Sequence, residues 1–177
     1  MKKKLFKGAF IDRDGVINKD LSYVYEKKNF IFQDGIFDLL RTLNKKNYLI
    51  CIVTNQSGIA RGLFTELQYK KITDYYINIL RNSEIHISGV YHCPHHPDYT
   101  NENFKNCNCR KPKPGLFLKA KNIHNIDMNE SLAIGDSLRD LEAAYYACIK
   151  KRILISKRNL SSKYITQEFK TIAECSS

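Results

Sequence analysis

The chain has 177 residues, enough to bury a single core without disulfide bonds, and we expect one domain over residues 1–177. Its formal net charge is +11. The basic residues are scattered among acidic ones, whereas a nucleic-acid groove needs them clustered, so no nucleic-acid partner is expected. The same positive charge suits an enzyme that acts on an anion.

No run of about 18 apolar residues is present that could span a bilayer. The lysine-rich start resembles the opening of a secretory signal, but the apolar run that follows is short and has no cleavage site. A cytoplasmic protein without a membrane partner is therefore predicted. Three of the six cysteines lie between Cys93 and Cys109, which in a reducing compartment indicates a metal site rather than disulfides.

Short apolar segments alternate with helical patterns along the chain. The segments predicted as buried strands are 9–11, 49–53, 89–91, 132–134 and 152–155. Helices are predicted over 36–43, over 64–80 with a capping box, from Pro114, over 141–147, and in the tail after Thr166. This alternation predicts an α/β fold with a doubly wound open parallel sheet, whose functional groups gather beyond the carboxyl ends of the strands.

Two segments, 15–32 and 93–113, are too long for simple turns, and long irregular loops in a compact domain are usually functional. No internal repeat or Gly/Ser linker marks a second domain. Residues 156–177 are treated as a C-terminal extension of the same domain. No insertion is large enough for a cap domain, so the two loops are expected to cover a site for a small substrate.

The first strand ends in two acids, Asp12 and Asp14, separated by one residue. Side chains two residues apart share a face of an extended chain, so both carboxylates can approach one reacting atom. A buried acid pair needs a cation, which Mg²⁺ supplies with its preference for oxygen ligands. The ordinary alternative is a strand that ends in two solvated aspartates.

Other strand ends carry polar groups that suit phosphate or a metal. They are Thr54, Asn55, Gln56 and Ser57 after the second strand, Asp136, Ser137 and Asp140 after the fourth, and Arg110 and Lys111 before the helix at Pro114. Singly, each could be a turn, a helix cap or surface charge. Their recurrence in one sheet favours a phosphate site.

These elements, in this order, resemble the haloacid-dehalogenase-like phosphohydrolases, which have a Rossmann-like sheet. The resemblance implies that Asp12 is the nucleophile and Asp14 the general acid and base. Thr54 and Lys111 would bind the transferring phosphoryl group. Mg²⁺ would lie between Asp12, the Asp14 backbone carbonyl and Asp136, with Asp140 orienting this shell.

A second metal site is predicted from Cys93, His95, Cys107 and Cys109, because three thiolates and one imidazole suit a closed tetrahedral structural zinc site. His92 and His96 compete for the imidazole position, and three free thiols with chance spacing are the ordinary alternative. Catalytic zinc is disfavoured because three thiolates leave no open position for water. Zinc would fix the conformation of the loop that ends in Arg110 and Lys111.

This loop and the segment TNQSGIARG at 54–62 are similar to the D,D-heptose 1,7-bisphosphate phosphatases and to the related histidinol-phosphate phosphatases. The resemblance implies a substrate surface that includes Asp20, Leu21, Ser22, Tyr23, Arg61 and Arg110, with Arg110 holding the phosphate that stays on the sugar. Two residues depart from the family pattern. Val16 stands where threonine is common, and Ser137 where a heptose enzyme often carries lysine.

The leading functional hypothesis is hydrolysis of the C7 phosphate of D-glycero-D-manno-heptose 1,7-bisphosphate by a monomer, in lipopolysaccharide or other cell-envelope sugar-nucleotide synthesis. The alternatives are a histidinol-phosphate phosphatase and a nucleic-acid 3′-phosphatase, the latter supported only by the basic charge. A hypothesis of another class is a non-catalytic zinc module that binds an acidic partner or nucleic acid.

Overall fold

A computed structural model describes residues 4–176, which contain a six-stranded parallel sheet in the order β3-β2-β1-β4-β5-β6. The strands are β1 (Phe6–Ile11), β2 (Tyr48–Asn55), β3 (Gly89–Cys93), β4 (Ile126–Gly135), β5 (Lys151–Ile155) and β6 (Gln167–Phe169). The helices are α1 (Ile36–Lys45), α2 (Glu66–Asn82), α3 (Glu102–Lys105), α4 (Gly115–His124), α5 (Leu138–Tyr146) and α6 (Ile172–Ser176). The predicted doubly wound parallel sheet is confirmed.

Apolar residues of the strands point alternately to the two faces of the sheet, as the pleat requires. Ile50 and Ile52 of β2 pack in a core with buried residues of α1 and α2. Cys51 and Val53 pack on the opposite face with buried residues of α4 and α5. Both faces are therefore covered, which is why the strands read as short continuous apolar runs.

The capping box predicted at the start of α2 is present. The backbone nitrogen of Gln68 donates to Thr65 Oγ1 at 3.2 Å, and the backbone nitrogen of Thr65 donates to Gln68 Oε1 at 2.8 Å. The helix therefore begins at Glu66, after its cap, rather than at Phe64. Tyr69, Ile72, Tyr76 and Leu80 form its buried stripe.

β1 lies between β2 and β4, so the order of strands along the chain reverses direction at β1. In such sheets the ligand crevice lies beyond the carboxyl ends of the strands at this reversal. Asp12, Thr54 and Asp136, which end or follow β1, β2 and β4, meet here. Topology alone thus assigns the predicted residues to one location.

The C-terminal tail adds more than the predicted short helix. β6 pairs in parallel with β5, and Ile172 at the start of α6 is buried in the core beside α1. β6 was missed because Gln-Glu-Phe has no apolar pattern and only its edge position makes it a strand. Within residues 4–176 no helix is both long and apolar enough to cross a bilayer.

Candidate active site

Asp12 is held at the tip of β1 against the neighbouring strand. Its backbone nitrogen donates to the Ile134 carbonyl of β4 at 3.0 Å, which continues the sheet hydrogen bonding up to the acid. The residue is 7% exposed, and Thr54 and Asp140 are buried as well. The predicted nucleophile is therefore fixed in a site that largely excludes water.

Lys111 reaches into the same buried site from the loop before α4. Its Nζ lies 2.9 Å from Asp12 Oδ1 and 2.8 Å from Asp140 Oδ1, and it donates to the Val53 carbonyl at 2.9 Å. An ammonium group has three protons, so these three oxygens use its full donor capacity. Binding of a phosphoryl group to Lys111 would exchange one of these partners.

Three carboxylates converge around Lys111. Oxygens of Asp12, Asp136 and Asp140 all lie within 4.8 Å of one another. Burial raises the pKa of Asp12 to about 8, although Lys111 opposes this shift. Burial likewise raises the pKa of Asp136 to about 7, with Asp140 adding to it.

One lysine thus faces three carboxylates, of which those of Asp12 and Asp140 are buried and that of Asp136 is half-buried. The donor set of hard oxygens fits a divalent ion such as Mg²⁺, which would compensate the remaining charge. Asp140 was predicted to lie behind the metal ligands. Its carboxylate belongs to the same cluster, where Oδ2 accepts hydrogen bonds from the Ser137 nitrogen and hydroxyl at 3.1 and 2.7 Å.

Gly15 makes room for the Asp136 carboxylate. Its backbone has φ of +84°, and a Cβ added there would overlap Oδ2 of Asp136. Glycine is thus required both by the left-handed backbone and by the close approach of the acid.

The Asp14 carboxylate is held by its own set of donors. Arg13 Nη2 and Nε donate to its two oxygens at 2.8 and 3.1 Å, and Asn18 Nδ2 donates at 3.0 Å. Gln56 Nε2 donates to Asp14 Oδ2 at 2.9 Å and to Thr54 Oγ1 at 2.8 Å. The side chain of Asp14 is 22% exposed and that of Arg13 is fully buried, so Asp14 faces the substrate side from a rigid support.

A cavity of about 240 Å³ opens beside Asp14. Its lining contains the predicted residues Asp14, Asp20, Ser22, Tyr23, Asn55, Gln56, Ser57 and Arg110, together with Arg139. Ser22 and Tyr23 have φ of 58° and 54°, a conformation that is costly for non-glycine residues and tends to occur at functional sites. The first long loop and the end of the second loop both contribute to the wall, as expected.

The predicted zinc ligands Cys93, His95, Cys107 and Cys109 also converge. The Cys93 Sγ lies 3.7 Å from Cys107 Sγ and 3.0 Å from Cys109 Sγ, and His95 Nδ1 lies 3.3 Å from Cys109 Sγ. Zn–S bonds of about 2.3 Å in a tetrahedron would separate the sulfur atoms by roughly 3.8 Å. The set therefore fits a four-coordinate ion after small adjustments.

The competing histidines have other partners. His92 Nε2 lies 3.0 Å from Glu66 Oε2, and His96 Nε2 lies 2.9 Å from Arg61 Nη2. The ring of His95 stacks on Phe104 with 4.7 Å between ring centroids, which orients its Nδ1 toward the thiols. This arrangement favours His95 over the other two imidazoles.

Comparison with known proteins identifies the family. The family model described as Polynucleotide kinase 3 phosphatase matches residues 9–154. A D-glycero-beta-D-manno-heptose-1,7-bisphosphate 7-phosphatase of Escherichia coli O6:H1 is 43% identical over 166 residues, covering 93% of this chain and 85% of its own. The chain belongs to the heptose bisphosphate phosphatases. The resemblance to haloacid-dehalogenase-like phosphohydrolases is thereby confirmed.

Two other members of the family are informative. A D-glycero-alpha-D-manno-heptose-1,7-bisphosphate 7-phosphatase of Campylobacter jejuni is 44% identical over 168 residues, covering 95% of this chain and 92% of its own. The D,D-heptose 1,7-bisphosphate phosphatase of B. bronchiseptica, solved with magnesium and phosphate, has a TM-score of 0.80 and 29% identity, covering 96% of both chains. Relatives of similar identity thus carry names for both anomers.

Within this heptose phosphatase fold, three predicted substrate residues lie outside the cavity lining. Leu21 is 52% exposed. The guanidinium of Arg61 lies 2.9 Å from His96 Nε2 and stacks over Tyr99, 4.4 Å from the ring centroid, and both partners belong to the long loop 93–113. The Ser137 hydroxyl donates to Asp140 at 2.7 Å at the start of α5. The side chains of Arg61 and Ser137 are therefore engaged within the protein, whereas that of Leu21 faces solvent.

Two arginines near the site were missed by sequence reasoning. Arg13 stood between two acids at the end of a buried strand, which is itself a signal that it would be buried and paired. Arg139 follows a predicted acid by three residues and had no pattern that could distinguish it from a surface cation.

Proposed function

We propose that this chain is a magnesium-dependent phosphatase that hydrolyses the C7 phosphate of D-glycero-D-manno-heptose 1,7-bisphosphate in cell-envelope sugar-nucleotide synthesis. The names of its relatives support this substrate. The observation that carries the proposal is the convergence of Asp12, Asp14, Thr54 and Lys111 beside a cavity that Arg110 lines. A catalytic carboxylate pair, phosphate donors and a cation for a second phosphate are thereby adjacent.

The chemistry proceeds in two displacements. An Asp12 oxygen attacks phosphorus and forms an acyl phosphate, while the bond from phosphorus to the C7 oxygen breaks and Asp14 gives that oxygen its proton. Asp14 then takes a proton from a water molecule, whose oxygen attacks the same phosphorus. Inorganic phosphate leaves, and the Asp12 carboxylate is restored.

Thr54 and Lys111 hold the phosphoryl group during these steps. Thr54 Oγ1 accepts a hydrogen bond from Gln56, so its own proton remains free to be donated to a phosphoryl oxygen. Asp12 and Asp136, with the Asp14 backbone carbonyl, would hold Mg²⁺, and Asp140 would support them. When bound, Mg²⁺ supplies positive charge that offsets the charge of the phosphoryl oxygens.

Zinc is proposed as a second, structural ion on Cys93, His95, Cys107 and Cys109. Its role follows from the loop, which ends in Arg110 and Lys111. The guanidinium of Arg110 donates to the His95 carbonyl at 3.1 Å, so a ligand of the proposed zinc site also positions a substrate cation. Metal loading and substrate binding are therefore coupled in this proposal.

The test is to measure kcat/KM on both anomers of the heptose bisphosphate, on histidinol phosphate and on a 3′-phosphorylated oligonucleotide. A preference for one bisphosphate anomer is expected, and a preference for histidinol phosphate would overturn the substrate assignment. Asp12→Asn and Asp14→Asn should each abolish turnover while the circular dichroism spectrum is retained. Full function of Asp12→Asn would instead support a zinc module without catalysis.

The remaining expectations belong to the same proposal. We propose a cytoplasmic monomer in which residues 1–177 act as one phosphatase domain, with a small phosphorylated sugar as its partner and no nucleic acid. The scattered basic charge and the small cavity support this assignment. Activity on the oligonucleotide that exceeds activity on the sugar and falls steeply with salt would contradict it.

A further inference from the structure

Arg139 is the second residue of α5 and lines the same cavity as Arg110. Among the described residues that form this lining, the charged ones are Asp14, Asp20, Arg110 and Arg139. The formal charges of the two acids and the two arginines sum to zero. Without Arg139 the wall would carry net negative charge, which repels a substrate with two phosphates.

The guanidinium of Arg139 is free to bind a ligand. Within residues 4–176 it has no hydrogen bond or ion pair to another residue, and the residue is exposed. Arg110, by contrast, is anchored on the His95 carbonyl. A cation in the first turn of a helix opposes the helix dipole, so Arg139 does not serve the stability of α5.

Neither Ser137 nor Lys111 could replace the positive charge of Arg139 at the cavity. Ser137 is neutral, and its hydroxyl is engaged by Asp140. Lys111 is buried among its three oxygen partners at the reacting end of the site.

We propose that Arg139 binds the phosphate that stays on the sugar, together with Arg110, and determines the preference for a bisphosphate over a monophosphate. This inference rests on the proposed function. The two arginines come from different elements, the zinc loop and α5, and line one cavity. Guanidinium groups bind phosphate oxygens in pairs of hydrogen bonds, so two of them fix both the position and the orientation of one phosphate.

The test compares kcat/KM on the 1,7-bisphosphate with kcat/KM on the 7-monophosphate, which lacks the C1 phosphate. For Arg139→Ala the ratio of these constants should fall roughly tenfold or more, mainly through KM of the bisphosphate. Arg139→Lys should restore part of the ratio, and Arg139→Glu should lower it further. Arg81→Ala removes an exposed arginine of α2 and should leave the ratio at the wild-type value.

The outcomes separate the two claims. A wild-type enzyme without preference for the bisphosphate would overturn the proposed function, and this inference with it. A wild-type preference that persists in Arg139→Ala and Arg139→Glu would overturn the role of Arg139 alone. A general loss of folding is checked by thermal melting. Because the Arg139 side chain is exposed and makes no hydrogen bond or ion pair within residues 4–176, its replacement by alanine should leave Tm nearly unchanged.

Discussion

Replacement of Lys111 tests whether the buried charge cluster is arranged as the structure indicates. The side chain is 1% exposed, and those of its partners Asp12 and Asp140 are 9% and 4% exposed. Burial would raise the pKa of Asp140, but Lys111, together with Ser137 and Arg139, more than offsets this and the net shift is downward. The pKa of Asp12 is instead raised, so Asp140 is the main ionised partner of the lysine.

Lys111→Met keeps most of the side-chain volume and removes the charge, so the cavity term is small. Breaking a buried ion pair by deleting one partner costs about 3–5 kcal/mol, because the remaining charge is left without compensation. We expect the free energy of unfolding to fall by about that amount in a chelating buffer. Saturating Mg²⁺ should stabilise the variant more than the wild type, since the ion no longer meets a neighbouring ammonium group.

The measurement is urea unfolding followed by circular dichroism, with and without Mg²⁺, beside a phosphatase assay. Lys113→Met is the matched control, because Lys113 lies two residues away and is exposed, and its side chain bonds only the Asn106 carbonyl among the described residues. It should change stability by about 0.5 kcal/mol or less. Equal unfolding free energies for the two variants would refute the buried pairing.

Two further predictions have matched controls. Gly15→Ala should abolish most Mg²⁺-dependent activity, because its Cβ would displace Asp136, whereas Gly62→Ala has a similar φ of +71° but nothing within 4 Å and should remain active; equal kcat/KM for the two would contradict the steric argument. Cys107→Ser should lower the zinc content measured by mass spectrometry, while Cys148→Ser, at an exposed thiol outside the cluster, should not; unchanged zinc in both would rule out the proposed site.

The candidate acidic and phosphate-site residues could be named from the sequence because most of them end or follow a buried strand. The carboxyl ends of parallel strands lie at one edge of the sheet, so Asp12, Thr54 and Asp136 were expected to lie close together once the strands were recognised. The candidate zinc ligands could be named for a different reason. Thiols that crowd one loop have few other uses in a reducing compartment, and Cys93 ends β3 while Cys109 precedes Arg110.

What the sequence could not provide was the direction of long side chains. Arg61 and Arg139 look alike in a motif, yet one packs on Tyr99 and the other lines the cavity. The same holds for Asp140, which could be a helix cap or part of the carboxylate cluster with Asp12 and Asp136 and in the structure is both. Such choices depend on three-dimensional distances between loops that are far apart in sequence.

The sequence suggested that zinc would order Arg110 and Lys111 together, because both follow the loop of the candidate zinc ligands. In the structure the two residues have different supports. Arg110 depends on the loop through the His95 carbonyl. Asn55 holds the backbone of Lys111 independently of that loop. The Asn55 Nδ2 donates to the Lys111 carbonyl, and the Lys111 backbone nitrogen donates to Asn55 Oδ1, both at 3.1 Å. Loss of zinc should therefore disturb Arg110 more than Lys111.

A zinc-selective chelator in excess Mg²⁺ should consequently lower kcat/KM on the bisphosphate more than on the 7-monophosphate, whereas Asn55→Ala should lower both together. Asn44→Ala is the matched control, because Asn44 makes the same two-way bridge to the backbone of His86, at 3.1 and 2.8 Å, but neither residue lines the cavity. An equal fall on the two substrates after chelation would mean that zinc positions the lysine as well. The bridge from Asn55 would then be a consequence of the ordered loop rather than an independent support.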